Sequence, residues 1–265
     1  MTSRPRAPPT SMRRSGRRAC RSNATCADGR RGSIPSCSAT VETTALPERT
    51  PMPHQLADLP YARHLAPFDG DLEPEGDYEC VHVDGRTLED LAAGNARFTQ
   101  CAFTGLVVGR GSLRFARFAD VWLREVRWIG TDVSDTAWQD AEMIDGALSG
   151  VDAGGTNLRR IRFEGCKFDS VNFRKSVLRD VTFVDCVLRH TDFGDAKLTN
   201  VTFPGTALDD ISFAKAQLAK VDLRGATALG VTDGLDALRG ATINHTQLLD
   251  LAPVFARHLG LVVKD

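Results

Sequence analysis

The sequence predicts an all-β solenoid that ends in a capping α-helix, and two regularities carry the prediction. A hydrophobic interval of five residues runs from Leu88 to Ile243 through 32 consecutive positions. The residue two places earlier in each unit is small or β-branched, as at Ile161, Val171 and Val181. Neither a helix with a period of 3.6 nor a strand with a period of 2 places every fifth side chain on one interior line. The backbone must therefore turn at five-residue intervals.

The five-residue units also resemble those of a known family. The clearest copies place a small or β-branched residue, a polar residue and a Phe in order: Ile161-Arg-Phe163, Val171-Asn-Phe173, Val181-Thr-Phe183, Thr191-Asp-Phe193, Val201-Thr-Phe203 and Ile211-Ser-Phe213. Over roughly residues 86–243 they resemble the pentapeptide-repeat family, whose unit is Ala-(Asp/Asn)-Leu-x-x. The resemblance implies a right-handed quadrilateral β-helix with about twenty residues per coil. Its predicted structural core includes Phe163, Phe173, Phe183, Phe193, Phe203 and Phe213.

Residues of one kind recur at the larger period as well. Ile161, Val181, Val201 and Val221 are spaced by twenty residues, which predicts that like side chains stack from coil to coil. Eight coils at the ~4.8 Å spacing of hydrogen-bonded strands give a rod about 38 Å long. Burial of one Phe or Leu yields about 1.5–3 kcal/mol, whereas ordering each backbone residue costs roughly 1–2 kcal/mol. A single unit cannot fold alone, so stability must accumulate between neighbouring coils.

Departures from the ideal unit predict where the coils are irregular. Trp128 and Trp138 stand at central positions, and Ala153 is undersized for its position, so we expect the coils near 126–156 to be less regular than later ones. The two Trp side chains either line a ligand pocket or fill space beside small neighbours. The Asp233-Gly234 step predicts an outward loop that preserves the register.

The C-terminal segment, residues 244–265, has the pattern of a helix that covers the open end of the solenoid. Asn244 followed by Gln247 is a capping-box pattern, and Gly260 is a stop signal, whereas Pro253 predicts a kink. In the quinolone-resistance branch of the family a C-terminal helix also mediates dimerisation, so the resemblance implies a homodimer. The alternative is a helix that covers only the end of its own core.

The N-terminal part of the chain differs from the repeats in composition. Residues 1–51 contain ten Arg, no Lys, three acidic residues and no apolar periodicity, which predicts a disordered basic tail. Alternatively, Met52 is the true initiator and the preceding segment is a start-site artefact. Residues 52–85 hold eight acidic residues and one basic residue, and we expect them to form an acidic lead-in and N-terminal cap.

Charge bears on the most specific function that the resemblance implies. Quinolone-resistance members of the family resemble duplex DNA in width and charge, and they bind type II topoisomerases such as DNA gyrase. Duplex DNA carries a charge about every 1.7 Å, but residues 86–228 contain 19 basic and 19 acidic residues. Residues 128–158 hold six acidic residues and no basic one. Asp132, Asp152 and Asp192 share an outward column and form the candidate interaction stripe, although Asp or Asn is also the family's ordinary residue there.

A basic stretch follows between positions 159 and 179, with seven basic residues and two acidic ones. It forms either a patch for nucleic acid or an acidic partner, or an ordinary solvated surface. The basic residues spread over several sides and the aromatic residues point inward, so we expect no direct nucleic-acid binding.

Motifs for catalysis are not apparent in the sequence. The six His residues are scattered singly, and no Cys-x-x-Cys, His-Glu-x-x-His, phosphate-binding Gly loop or nucleophile elbow occurs. We therefore predict a non-catalytic protein with no cofactor, no metal and no membrane span. It would act as a rigid interaction scaffold for an unidentified protein partner, or alternatively as a DNA mimic that binds and protects DNA gyrase. The odd total of seven cysteines and the absence of a secretion signal favour a cytoplasmic location.

Overall fold

The computed structural model describes residues 55–264, so the predicted tail at residues 1–51 lies outside the described part of the chain. The described residues form short strands and one α-helix. The strands are β1 Ala66–Pro67, β2 Asp77–Glu79, β3 Val81–Asp84, β4 Thr87–Ala92, β5 Arg97–Thr99, β6 Ala102–Thr104, β7 Val107–Ser112, β8 Arg117–Ala119, β9 Trp122–Arg124, β10 Arg127–Asp132, β11 Ala137–Ile144, β12 Ala147–Ser149, β13 Asn157–Glu164, β14 Lys167–Asp169, β15 Val177–Val184, β16 Val187–Arg189, β17 Lys197–Thr202, β18 Ala207–Ser212, β19 Gln217–Ala219, β20 Val221–Asp222, β21 Ala228–Asp233 and β22 Ala241–Thr242. The helix is α1 His245–His258, and 3-10 turns occupy Leu56–Asp58, Ala62–His64 and Leu235–Leu238.

The strands pair in parallel and in register with the strand one coil away. In β13 and β15, for example, Leu158 pairs with Leu178 and Phe163 with Phe183, a spacing of twenty residues. One sheet follows the order β4, β7, β10, β12, β14, β16, β18 and β21, and a second sheet contains the other strands. Because every coil repeats the same hydrogen-bonding pattern, the chain forms a parallel β-solenoid, as the five-residue spacing predicts.

Each coil has four sides, which we name by their inward central residues. Face 1 carries Phe98, Phe118, Trp138, Leu158, Leu178, Leu198 and Leu218; face 2 carries Val83, Phe103, Leu123, Met143, Phe163, Phe183, Phe203 and Leu223; face 3 carries Val108, Trp128, Leu148, Phe168, Leu188 and Leu208; face 4 carries Ala93, Leu113, Val133, Ala153, Phe173, Phe193 and Phe213. All of these side chains are buried in one continuous core. The six predicted core Phe residues are among them.

Aromatic side chains stack along the core at the coil spacing. On face 2, the ring centroid of Phe183 lies 5.0 Å from that of Phe163 and 5.1 Å from that of Phe203, with nearly parallel planes. On face 4, Phe193 is stacked in the same way between Phe173 and Phe213. Offset stacking of this kind adds about 0.5–1.5 kcal/mol per pair beyond burial, so like residues at a spacing of twenty stabilise one another directly.

The corners between faces are made by left-handed backbone. Non-glycine residues with positive φ recur at multiples of five, with φ values between +42° at Arg110 and +61° at Phe115. Each left-handed residue costs roughly 1–2 kcal/mol, and hydrogen bonds between coils offset this cost. At the corner between faces 2 and 3, for instance, the Asp145 N–H donates to the Glu164 carbonyl at 2.8 Å.

Gly205 is a corner at which an added methyl group would collide with the neighbouring coil. Its φ is +68°, and a Cβ there would overlap the Oδ1 of Asp185, the corner residue one coil earlier. We expect Gly205→Ala to lower the free energy of unfolding by about 0.5–1.5 kcal/mol more than Gly85→Ala does, because the exposed Asp185 side chain must leave its rotamer; urea denaturation measures the difference. Gly85→Ala is the matched control because Gly85 has φ +62° with nothing within 4 Å of the added Cβ. If steric overlap is the cause, the Asp185→Gly background will restore most of the loss; an equal loss in both backgrounds would contradict it.

The expectation of irregular coils near 126–156 is wrong. β10 pairs with β7, and β11 with β13, at an unbroken spacing of twenty. Trp138 lies flat on Phe118 with ring centroids 3.7 Å apart, and Trp128 tilts against Trp138. Together they fill the space beside Ala153, where a void of about 30 Å³ remains. That void has room for about one water molecule, so the two Trp side chains fill space and do not line a ligand pocket.

The spacing is irregular farther along the chain, between β18 and β21. Leu208 pairs with Leu229, a separation of twenty-one, so Leu229 takes the partly buried position expected for Ala228. Gly234, with φ +82°, leads from β21 into the 3-10 turn Leu235–Leu238, which packs Leu235, Ala237 and Leu238 against the core. Pairing of Val221 with Ala241 restores the separation of twenty. The chain leaves the regular coil where a loop was predicted, but the segment packs against the core instead of projecting outward. The interval of five is also not continuous through all 32 positions, because Asp233 remains solvent-exposed.

Two different structures protect the ends of the core. At the N-terminal end strand pairing begins before the predicted residue 86, because Tyr78 in β2 already stacks on Phe98 at 5.1 Å. Leu72 is buried against this end of the core. At the C-terminal end α1 begins with the predicted capping box between Asn244 and Gln247.

The helix stops as its sequence predicts. It runs through Pro253, and Gly260 follows its last residues with φ +70°. The Gly260 N–H donates to the Arg257 carbonyl and the Leu261 N–H to the Ala256 carbonyl. These two bonds form a Schellman motif, which satisfies carbonyl groups at the helix end.

Candidate interaction surface

The candidate stripe lies on the outside of face 4. Isolated parallel bridges connect Asp132, Asp152, Asn172, Asp192 and Ser212 in that order. The structure therefore brings the three predicted Asp residues into one column, with Asn172 between the second and the third. At ~4.8 Å per coil the column from Asp132 to Asp192 spans about 14 Å.

Each member of this column stabilises its own turn. The Oδ1 atom of Asp132 accepts the Ser134 N–H at 3.0 Å, and that of Asp152 accepts the Gly154 N–H at 3.0 Å. The Oδ1 atom of Asp192 accepts the Gly194 N–H at 2.7 Å. A short side-chain acceptor two residues before a backbone donor is the ordinary Asx-turn arrangement. The column thus has a structural explanation that needs no partner.

Two arginines on the same face neutralise much of the charge. Arg174 donates to Asp192 and Asp195 at 3.0 Å each. Arg114 binds Asp135 at 3.2 Å and lies 3.7 Å from Asp132. Asp152 instead accepts the Asn172 side-chain amide at 2.8 Å.

Five acidic side chains and three basic ones, with Lys175 counted because it shares the corner column of Asp135 and Asp195, therefore leave two net negative charges along this part of face 4. A DNA duplex of about 14 Å would carry about eight. The charge density of the column is well below that of DNA.

The basic stretch at 159–179 is also partly neutralised within the protein. Arg160 makes a bidentate contact with Asp140. Arg162 donates to Glu164 at 2.7 Å. These pairs lie on different faces from Arg174, which favours a solvated surface over a single basic patch.

A surface that the predictions missed lies on the outside of face 2. The outward residues Ala102, Trp122 and Ile144 are buried there, although other outward residues of the solenoid are mostly polar. Residues 55–65, which we call the strap, cover them with the buried side chains Leu59 and Tyr61. The sequence contained one indication of this covered surface, the apolar Trp122 at an outward position. The equivalent residues of later coils are polar: Arg162, Thr182 and Thr202.

The family relationship follows from this repeat geometry and from the sequence. The sequence profile described as "Pentapeptide repeat region" matches residues 156–232. Residues 156–232 are a pentapeptide-repeat region. The predicted family resemblance is thus confirmed, and no curated protein matches the chain in sequence.

Solved structures of pentapeptide-repeat proteins resemble the chain only distantly. A trypsin-treated variant of QnrB1, a plasmid-mediated fluoroquinolone resistance protein, is 14% identical, with 75% of this chain and 96% of that chain covered and a TM-score of 0.29. Rfr23 from the cyanobacterium Cyanothece 51142 is 13% identical, with 48% and 89% covered and a TM-score of 0.36. HetL from the cyanobacterium Nostoc sp. strain PCC 7120, involved in regulation of heterocyst differentiation, is 16% identical, with 65% and 91% covered and a TM-score of 0.28. These similarities carry no inference about function.

The coils of the solenoid carry one buried acid with an altered protonation equilibrium. Glu142, at an outward position of face 2, is 2% exposed. Burial raises the pKa of its carboxyl from 4.5 to about 7, against the opposing effect of Arg162, whose Nε lies 3.6 Å from Oε1. The folded protein therefore holds this proton more tightly than the unfolded chain does.

This shift predicts a pH-dependent stability. The contribution of Glu142 to the free energy of unfolding is greatest below pH 4.5 and falls as the pH rises to about 7, by on the order of 2–3 kcal/mol. We expect Glu142→Gln to remove this fall and to unfold at higher urea concentration than the wild type at pH 8. Glu125→Gln, at an exposed corner of a nearby coil, is the control. Parallel pH profiles for the wild type and Glu142→Gln would contradict the assignment.

Within residues 55–264 no group of three or more His, Cys, Asp or Glu side chains has an arrangement that could hold a metal ion. No helix in that range has the length and apolar character needed to cross a bilayer. Cys101, Cys166 and Cys186 are buried free thiols at inward positions.

Proposed function

We propose that the protein is a non-catalytic scaffold that binds a protein partner through the outward side chains of its coils. One observation carries the proposal: parallel pairing at a spacing of twenty fixes outward side chains in columns with a constant interval of ~4.8 Å. A partner can contact several members of a column without ordering them first, which lowers the entropic cost of binding. A buried, continuous core supports this rigidity.

The scaffold proposal is tested by capture of partners from the native cell with substitutions on separate faces. Arg179→Asp changes face 1 and Arg189→Asp changes face 3, and both residues are exposed. We expect a partner that the wild type captures to be lost with substitutions on one face and retained with those on the other faces. The proposal would be contradicted if no outward substitution, on any of the four faces, altered the capture of a partner.

The DNA-mimic alternative rests on the acidic column of face 4, and we propose gyrase as its partner. Asp132, Asp152 and Asp192 would then contact the enzyme in place of phosphates. Purified gyrase should supercoil DNA more slowly with the protein present, or be protected from quinolone inhibition, and the triple Asp→Asn variant should lose the effect. Asn keeps the turn acceptor of each Asp residue, so the variant is expected to fold normally. The absence of either effect with the wild type would exclude this alternative.

We further propose that α1 and the following residues mediate a homodimer. Leu248, Leu249, Leu259 and Val262 are exposed by 46–80% and supply an apolar surface beside the part of the helix that covers the core. Sedimentation of the full chain should show a dimer, and Leu249→Asp should convert it to a monomer because it would place a charge in the contact. A monomeric wild type at high concentration would exclude the dimer and leave the capping role.

A further inference from the structure

Face 1 carries exposed basic side chains with no acid between them. In the units centred on residues 98 to 218, the outward positions on either side of the central residue hold no Asp or Glu. The basic side chains at these positions are all exposed: Arg97, Arg117, Arg159, Arg179 and Lys197. Arg159 and Arg179 belong to the basic stretch at 159–179, whereas the other three come from other coils. The set, which we call the basic surface, is therefore assembled by the fold and is not a run in the sequence.

The side chains of the basic surface lack the acidic partners that arginines on other faces have. Arg162, for example, contacts carboxylates of its own face 2. Within residues 55–264, none of the five basic-surface side chains forms an ion pair. Arg97 is moreover in register with Arg117, and Arg159 with Arg179. Like charges in register on adjacent strands repel each other, and a bound anion would relieve this repulsion.

Carboxylates line both edges of face 1 and limit the width of a ligand. The corners toward face 2 hold Asp120, Asp140 and Asp180, and those toward face 4 hold Asp135 and Asp195. The three residues between the corners of each unit span about 10 Å. A DNA duplex, whose major groove alone is ~12 Å wide, would extend over these edges and bring its phosphates to the carboxylates. An extended peptide, about 5 Å wide, fits between them.

We propose that the basic surface binds an acidic, extended segment of a protein partner. Arg97 and Lys197 are five coils apart, or about 24 Å at ~4.8 Å per coil, which is the length of about seven extended residues. Guanidinium groups form charge-assisted and often bidentate hydrogen bonds with carboxylates. Ala119 and Ala137 lie between the two Arg pairs, and their short side chains let the segment approach face 1 closely. The inference rests on the proposed scaffold function for the partner, but the chemistry of the surface does not depend on it.

The test uses the full chain and a fluorescein-labelled peptide of eight Glu residues, which spans about 26 Å when extended. Fluorescence anisotropy measures its binding at low ionic strength, where exposed charges are screened least. We expect saturable binding of one peptide per chain. A peptide of eight Gln residues should bind more weakly by about tenfold or more, because it cannot form charge-assisted bonds. Equal binding of the two peptides would overturn the proposal.

Two double variants locate the site because they change the net charge equally. Arg117→Glu with Arg179→Glu alters the basic surface, and Arg127→Glu with Lys167→Glu alters exposed bases of face 3. We expect the first to weaken binding of the Glu peptide by about tenfold or more and the second by less than about twofold. Equal weakening would overturn the proposal, since net charge alone would then explain the binding. If the first variant does not fold, Arg117→Gln with Arg179→Gln replaces it, with an expected weakening of about threefold or more.

A single-stranded DNA of eight nucleotides is the competing probe. Tighter binding of this DNA than of the Glu peptide would overturn the proposal and assign the basic surface to nucleic acid.

Capture of partners from the native cell separates the basic surface from the scaffold function. We expect Arg117→Glu with Arg179→Glu to lose a partner that the wild type captures. A partner retained by this variant would overturn the assignment of face 1, and the scaffold would stand on another face. If the Glu peptide binds as expected but the wild type captures no partner, the scaffold fails and the basic surface stands as a site for acidic peptides.

Discussion

Replacement of Phe183 by Asp is expected to abolish cooperative unfolding of the β-helix. Phe183 is fully buried and stacks between Phe163 and Phe203 at centroid distances of 5.0 and 5.1 Å. Loss of such a side chain alone costs about 3–5 kcal/mol, and an unpaired buried carboxylate adds several kcal/mol. Native proteins are stable by only about 5–15 kcal/mol. The coils on both sides lose a neighbour as well, so we expect no cooperative thermal transition by circular dichroism.

Thr182→Asp is the control for Phe183→Asp. Thr182 precedes Phe183 in β15 but points outward, and its hydroxyl accepts a hydrogen bond from Thr202 at 3.3 Å. An Asp side chain can accept the same bond in contact with solvent, so the same substitution one residue away should change stability by less than about 1 kcal/mol. If both variants melted like the wild type, the inward position of Phe183 would be wrong.

Replacement of Gln247 by Ala is expected to have the next largest effect, because this side chain joins α1 to the last coil. Its Nε2 donates to the Leu223 carbonyl at 2.7 Å and to the Ala226 carbonyl at 3.2 Å. Its Oε1 accepts the Asn244 N–H at 2.9 Å. Gln247 is 5% exposed, so its removal leaves the buried Ala226 carbonyl and the Asn244 N–H without these bonds, whereas the Leu223 carbonyl keeps the Ala226 N–H. We expect the free energy of unfolding to fall by on the order of 2–4 kcal/mol.

Urea denaturation of Gln247→Ala and Thr246→Ala separates the buried bonds from helix propensity. Thr246 is adjacent in α1, exposed and outside the proposed dimer contact, so its replacement should change the unfolding free energy by less than about 0.5 kcal/mol. Similar midpoints for the two variants would mean that α1 does not depend on Gln247 for its attachment to the core. A large loss for Gln247→Ala with unchanged sedimentation would assign the residue to capping and not to the dimer.

The core was predictable from sequence because its signal is repeated in every unit. A single misplaced residue, such as Asp233, is outweighed by the many positions that agree, and the change of spacing at Leu229 is confined to the last coil. The sizes of individual side chains were less informative. The Trp residues at 128 and 138 suggested distortion, but a ring that stacks on the next coil fits within the ~4.8 Å interval between coils, as the 3.7 Å between the Trp138 and Phe118 centroids shows.

The surface was harder to predict because contacts across coils depend on side-chain direction. The column of Asp132, Asp152 and Asp192 follows from spacing, whereas the neutralising contacts of Arg114 and Arg174 depend on how long side chains lie along face 4. The strap has no repeat, so its position could not be derived from periodicity. Only Trp122, an apolar residue at an outward position, indicated that something covers that side.

The left-handed corners have a consequence for how such a protein diversifies. The backbone conformation at each corner is imposed by the hydrogen bonds of the adjoining coils, so the side chain there contributes little to the choice of fold. Phe115, Arg160, Lys175 and His190 all occupy such corners. The four edges of the rod can therefore exchange acidic, basic and aromatic groups during evolution with little penalty for folding, and descendants of one ancestor could acquire unrelated partners on the same framework.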